Sequence, residues 1–548
     1  MEKVTPFDIP LLINEICQYL SREDLKHCML VSKAWAAWFA SVLWRDLDCG
    51  RKTPDIPTLR RQQEHIQIVR NISMRDIRDS GERLPFSQLR RLEFKNESSE
   101  DGAHFTEIRV LPLLEGVTSL QHLKITLSLE HDSICRQFIR TLELLPHLQS
   151  LSLGCKRFID GKVIQDILRV CHRLERLSLR FSGSERHATQ EDRQGYMDTR
   201  AEIERMPEMR LCELSFRSDS DLVMENIHQP LLERCPRLER LDLGRIYQES
   251  ILQHLSKALK DSKLPKLRHL NIKEVWEVHL QEALADALRH VECGLESLVF
   301  RASPSEPVIQ SLVQYHSRMT KLDFSGYECY EISLWDLSDL MAGLPNLRSF
   351  ESKVNDDDDH SSRDIPLEKH WECVSLKNLR LYLRLQGWGC NMSIKHVWEG
   401  SSGILFLDYL FSELAKLTRL QELFIECGLR DLFLKRHGYL TRLADLKQIK
   451  VFKFGEISDD QESGKEEALW MFENWPRLLE VHTPQMDEFD EGDGGVEFEG
   501  TTREESSSPH KHVFQTAIRD DDANAVIEGD WVNHGTEDEI GIKRTADC

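Results

Sequence analysis

The chain of 548 residues carries 71 Lys and Arg against 93 Asp and Glu, a formal charge of −22, with 40% hydrophobic and 30% charged residues. That balance excludes a general binder of the nucleic-acid backbone, which needs a basic face, and leaves room for a local basic patch. The 14 cysteines are scattered, the closest pair being Cys17 and Cys28, so a zinc knuckle and a redox CxxC are both excluded and reduced, often buried thiols are expected. The chain opens on Met1-Glu2-Lys3-Val4-Thr5-Pro6-Phe7, without a charged-then-apolar leader. Its longest apolar stretch, Met29 to Trp44, is broken by Ser32 and Lys33 and is shorter than the roughly 20 residues of a membrane span. A soluble protein of the cytoplasm or nucleus, with no membrane partner, is the expectation.

Residues 6–48 read as three short helices. Pro6 to Pro10 leads into the helical pattern Leu11 to Leu20, and Ser21 with Asp24 three residues on has the spacing of a capping box. The second helix carries Leu25, Cys28, Met29, Val31, Trp35, Trp38 and Phe39, and a third short segment is Val42 to Leu47. About 45 residues lie near the limit for independent folding, and this much leucine and tryptophan calls for a partner helix or docking on the rest of the chain. Ile9-Pro10, Ile16 and Leu20, Leu25, Val31-Ser32-Lys33-Ala34-Trp35 and Leu43-Trp44-Arg45 resemble the F-box family. The resemblance implies binding to a Skp-type adaptor and, through it, to cullin and RING subunits of a ubiquitin ligase. It also implies that Pro10, Leu11, Leu12, Ile13, Leu20, Leu25 and Leu43 help form the adaptor surface, while Ile16, Val31, Trp35 and Trp44 hold the helices together. Residues 49–68 are read as a linker.

From about residue 69 to 484 the frame L-x-x-L-x-L recurs, clearly at Leu148/Leu151/Leu153, Leu174/Leu177/Leu179, Leu238/Leu241/Leu243 and Leu446/Ile449/Val451, and as a weak last copy at Leu478/Val481. The mean step from Leu89 to Leu478 is about 30 residues, near the upper end of the periods of leucine-rich repeats. Val163–Val170, Ser250–Leu259, Leu280–Val291 and Leu405–Leu417 place apolar residues at helical spacing between frames. A strand and a helix cannot close a core alone, so stacked neighbours bury the leucines in a ladder. The fold class is α/β: a leucine-rich-repeat solenoid, a horseshoe with a parallel sheet on the concave face and helices on the convex face. Copies introduced by Cys or Pro, such as Cys171-His172-Arg173-Leu174 and Cys235-Pro236-Arg237-Leu238, resemble the repeats of F-box proteins, although no regular Asn ladder is expected.

Three stretches break the period, near 181–209, 353–371 (with Asp356 to Asp359) and 386–403, and are expected as rim loops. Residues 485–548 hold 18 acidic and 5 basic residues and read as a disordered acidic tail. The outward residues of the strands, from Arg91 and Glu93 to Gln448 and Lys450, number seven Lys or Arg against six Asp or Glu, a mixed column that selects no ligand class. Arg176, Arg240, His269, Asn271, Lys321 and Asp323 are the candidate target contacts on it. No phosphate loop, HExxH, GxSxG or kinase signature occurs, so no catalytic residue, metal or cofactor is expected and the chain reads as non-enzymatic. The expected function is target recognition for a Skp–cullin–F-box ubiquitin ligase, with an unknown protein substrate, no nucleic acid and no evidence in the sequence of a homo-oligomer. A scaffold without a ubiquitin-transfer role is the alternative. A Ran-type GTPase activator, suggested by repeats before an acidic tail, is opposed by the N-terminal match and the irregular repeats.

Overall fold

The computed structural model describes residues 10–48, 69–74, 88–94, 111, 114, 116–127, 132–155, 160–181, 189–218, 220–275, 278–326, 332–355, 369–384, 401–427, 438–454, 461–483, 513–516 and 540–544. The expected linker 49–68, the Asp356–Asp359 run and most of 386–403 lie outside them. Among the described residues no helix is long and apolar enough to cross a membrane.

Three helices open the chain: α1 (Pro10–Tyr19), α2 (Arg22–Val31) and α3 (Lys33–Arg45). The expected capping box is present, the Ser21 hydroxyl accepting from the Asp24 backbone N–H at 3.2 Å and the Asp24 carboxylate accepting from the Ser21 backbone N–H at 3.0 Å. The second and third helices divide elsewhere than the apolar pattern suggested. Ser32 is extended (φ −159°, ψ 165°), and its hydroxyl accepts from the Trp35 backbone N–H at 3.1 Å, so it caps a 13-residue α3. The apolar period runs through this break because both helices bury residues in one core, so only the capping serine marks the junction.

The chain divides into two compact units: 1–271 with 290–293, and 272–289 with 294–548. In the first, β1 (Asp46–Asp48) follows α3 directly and pairs in parallel with β2 (Asn71–Met74). The third helical segment expected at Val42–Leu47 therefore ends as the first strand of the sheet. β3 (Arg91–Phe94), β4 (His122–Leu127), β5 (Ser150–Cys155), β6 (Arg176–Phe181), β7 (Glu213–Ser218) and β8 (Arg240–Ile246) continue it in parallel. Leu123, Leu151, Leu177, Leu214 and Leu241 stand in register and are all buried, which is the ladder that the repeat requires.

Helices return between strands, among them α4 (Asp132–Glu143) and α5 (Gly161–Cys171), the latter capped by the Asp160 carboxylate on the Lys162 N–H at 2.9 Å. The insertion near 181–209 is not a plain loop. Gln190–Arg205 forms a 16-residue helix, α6, that buries Tyr196, Thr199 and Ile203. Three apolar or small residues at near-helical spacing suffice to dock an otherwise polar segment. A π turn at Met224–His228 interrupts the helical stretch between β7 and β8.

In the second unit β10 (Ser297–Phe300), β11 (Lys321–Asp323), β13 (Ser349–Asn355), β14 (Asn378–Arg384), β15 (Glu422–Cys427), β16 (Val451–Phe454) and β17 (Glu480–Thr483) pair in parallel, with the short β12 (Ile332–Ser333) against β13. Phe300, Phe324 and Phe350 stack edge to face at 6.3 and 6.2 Å inside. β9 (His269–Val275) gives its first three residues to the first unit.

The repeats share one turn. The N–H of the first leucine bonds the carbonyl three residues back: Leu174 to Cys171, Leu238 to Cys235, Leu376 to Cys373, Leu420 to Leu417 and Ile449 to Leu446. Each of those turn residues is buried, which explains the recurring cysteine, a small apolar filler there. It also corrects one frame. Leu446 occupies the turn position, so the repeat reads Ile449/Phe452/Phe454, three residues later than Leu446/Ile449/Val451. Val451 and Lys453, aligned with Glu422 and Phe424, point outward instead of Gln448 and Lys450.

Within 485–548, expected as a tail without structure, two short strands are described. β18 (Val513–Thr516) is parallel to β19 (Ile540–Arg544), which runs antiparallel to β17.

Candidate functional site

The helical opening has a small core and an apolar exterior. Cys17, Leu25 and Phe39 are buried together, with Leu20, Cys28, Met29, Trp35, Trp38, Val42 and Leu43 packed against them. Trp35 lies 5.4 Å from Phe39, ring centre to ring centre. Burial, more than any neighbouring charge, pushes the Cys17 thiol above its ordinary range, which marks it as core and not nucleophile.

Side-chain exposure agrees with the expected division between surface and core at some positions and departs from it at others. Leu12 is exposed, as a contact surface needs, and Trp35 packs inward. Leu20 and Leu43 are partly buried, and Leu25, assigned to the surface, is 7% exposed and belongs to the core. Ile16 and Val31, assigned to the core, are 38% and 64% exposed. Helical phase explains both reversals. Cys17, with Leu20 just past the helix end, marks the inner side of α1, and Leu12, Ile16 and Tyr19, spaced at four and three, share another face of that helix. On α2, Leu25, Cys28 and Met29 turn inward, leaving Leu30 and Val31 outside. The side chains of Pro10, Leu11, Ile13 and Trp44 lie outside the described set. Tyr19 (84% exposed) and Leu30 (82%) were missed as surface residues, although the phase of Cys17 and Leu25 contains that information.

The candidate target contacts on the repeats fall into two groups. Arg176 on β6 and Arg240 on β8 flank Glu213 of β7 in register, all in the first unit, with His269 and Asn271 on β9. Lys321 and Asp323 belong to the second unit. There they border a depression of about 220 Å³ with Ser349, Glu351, Asn378, Arg380 and Glu422. Arg380 lies 4.0 Å from Glu351 and 3.9 Å from Glu422, and 4.5 Å over the ring of Phe424. The register places these residues side by side, which spacing along the chain did not reveal.

Residues 7–46 match the family model of the F-box domain. The chain carries an F-box. That F-box comprises α1 to α3, and its last matched residue, Asp46, is the first of β1, so the domain ends where the sheet begins. No curated protein sequence matches the chain. A solved structure titled as the crystal structure of the Rad7 and Elc1 complex in yeast resembles it at 14% identity, over 68% of this chain and 91% of that one, with a TM-score of 0.29, too loose a superposition to transfer any role.

Proposed function

We propose that the protein is the target-binding subunit of a Skp–cullin–F-box ubiquitin ligase. Its F-box docks on a Skp-type adaptor and its repeats hold a protein target, so the chain contributes proximity and no reactive group. The observation that carries this reading is the apolar exterior of the F-box: Leu12, Ile16 and Tyr19 on α1, and Leu30 and Val31 on α2, remain outside the small core. Exposed apolar clusters of this kind mark a protein interface, and a few aliphatic anchors supply most of such an affinity. Leu12 with Pro10, Leu11 and Ile13 at the start of α1 are the proposed anchors.

The test is co-purification of the full chain with a Skp-type adaptor and a cullin. The Leu12→Asp/Ile16→Asp double variant replaces solvent-facing side chains and so leaves the fold intact in a thermal melt, but loses the adaptor. Absence of adaptor binding by the parent chain overturns the proposal. Adaptor binding without cullin recruitment replaces it with a scaffold role.

A further inference from the structure

The exposed sheet face of the first unit is basic, although the protein as a whole is strongly acidic. β4 to β7 are six residues long, so each turns three positions outward, one more than the flanking pair taken from the repeat frame. The third row brings Arg180 and Arg217 into register beside Gly154. Ser150, Ser152, Ser178 and Ser215 form a floor of small hydroxyls at the centre, and these hydroxyls make no hydrogen bond among the described residues.

Cations surround that floor. Lys124 is neutralised by Glu93 at 2.6 Å and Arg217 by Asp242. β8 leaves extended geometry at Gly244 (φ +67°), where a Cβ would meet the Arg217 side chain at 2.9 Å; the bare backbone lets that arginine lie across the strand to its partner. Arg91, Arg176, Arg180 and Arg240 are exposed and make no ion pair among the described residues. Against these four stands Glu213, between Arg176 and Arg240, while Glu175 and Glu239 sit at the strand starts, off the serine floor. Burial first, and then Arg176 and Arg91, hold the His122 imidazole below its usual pKa, in keeping with a positive local potential.

We propose that this face binds an extended acidic peptide of the target, with carboxylates alternating with small polar residues. The proposal rests on the target-receptor reading above and names the target's chemistry. Four strand spacings from β4 to β8 cover about 19 Å, the length of about six extended residues. Exposed arginine forks suit carboxylates, and serines suit the backbone between them. A nucleic acid fits poorly because these outward rows hold no Phe, Tyr or Trp ring for base stacking and the acidic remainder of the chain repels a long polyanion. Of the chain's own acidic segment, the described stretches 513–516 and 540–544 pair with the second unit's sheet and so are engaged elsewhere.

The test is fluorescence anisotropy on the full chain at low salt with four labelled probes: peptides of about ten residues alternating Glu and Ser or alternating Gln and Ser, a peptide of residues 486–500 of this chain, and an oligo(dT) of about ten nucleotides. The expected result is Glu/Ser binding about tenfold or more tighter than Gln/Ser, weakening with added salt. Arg176→Ser/Arg180→Ser removes that preference without changing the thermal melt or adaptor co-purification, and Lys321→Ser leaves it unchanged. Equal binding of the Glu and Gln peptides, or no effect of the double variant, overturns the proposal. Tighter binding of oligo(dT) assigns the face to nucleic acid, and tighter binding of the 486–500 peptide assigns it to the chain's own segment; either result overturns it too. Adaptor binding, scored separately, keeps a failure here distinct from a failure of the ligase reading.

Discussion

His228 lies wholly inside the first unit, 5.7 Å from the Phe216 ring, with neither ring nitrogen hydrogen-bonded among the described residues. Burial, with a smaller contribution from His254, pushes its pKa down to about 3. In the second unit, His316 fills the turn position that cysteine holds in other repeats, and its Nδ1 accepts from the Leu295 N–H at 2.9 Å. Burial, only partly offset by the Leu288 carbonyl, takes its pKa to about 4. Both folded-state values lie below the ordinary histidine value of about 6.5, so the unfolded chain takes up these protons first. Stability from each site is full above about pH 6.5 and is lost as pH falls toward the folded value. Each site therefore destabilises its unit by about 2 kcal/mol between pH 7 and pH 5. His228→Leu and His316→Leu should each shrink the drop in Tm between those two pH values, and the double variant should shrink it most. A drop as large as the parent's in the double variant would show that other groups govern acid sensitivity.

A ladder of single apolar residues, mostly leucines, decides each repeat at the level of the element. Leu177 is buried between Leu151 and Leu214 in register, so Leu177→Ala leaves a void that rigid neighbouring strands cannot close. The expected cost is about 2–5 kcal/mol in a denaturant or thermal unfolding experiment, and a loss below about 1 kcal/mol would contradict the ladder. The same periodicity made most of the fold legible, since a period-two strand flanked by helical spacing identifies itself. It failed where two apolar residues sit three apart twice over. Leu446, Ile449 and Phe452 satisfy the frame in either phase, and only the turn hydrogen bond from Ile449 to Leu446 separates them. In the F-box the residue types were legible, but Ile16 and Cys17 are adjacent on α1 and both apolar; the phase of the whole helix decides which one turns inward. Arg180 and Arg217 escaped notice because strand length is set by pairing with neighbours, which a local frame does not contain.

At the scale of the whole molecule, the proposed function requires adaptor docking and target binding on a single chain. The proposed mechanism is proximity: a target held by the repeats meets the transferring enzyme at an effective concentration of about millimolar instead of its free concentration. That makes a prediction separate from either binding test. Leu12→Asp/Ile16→Asp should keep acidic-peptide binding and lose the adaptor, while Arg176→Ser/Arg180→Ser should do the reverse. In a reconstituted transfer assay with a target bearing such a peptide, each variant alone should then be inactive. An equimolar mixture of the two should also be inactive, because no molecule in it carries both surfaces. Recovery of about half the parent's activity in the mixture would mean that two chains associate and share a target. Full activity of either single variant would remove its surface from the mechanism, leaving the rest of the chain to supply that contact.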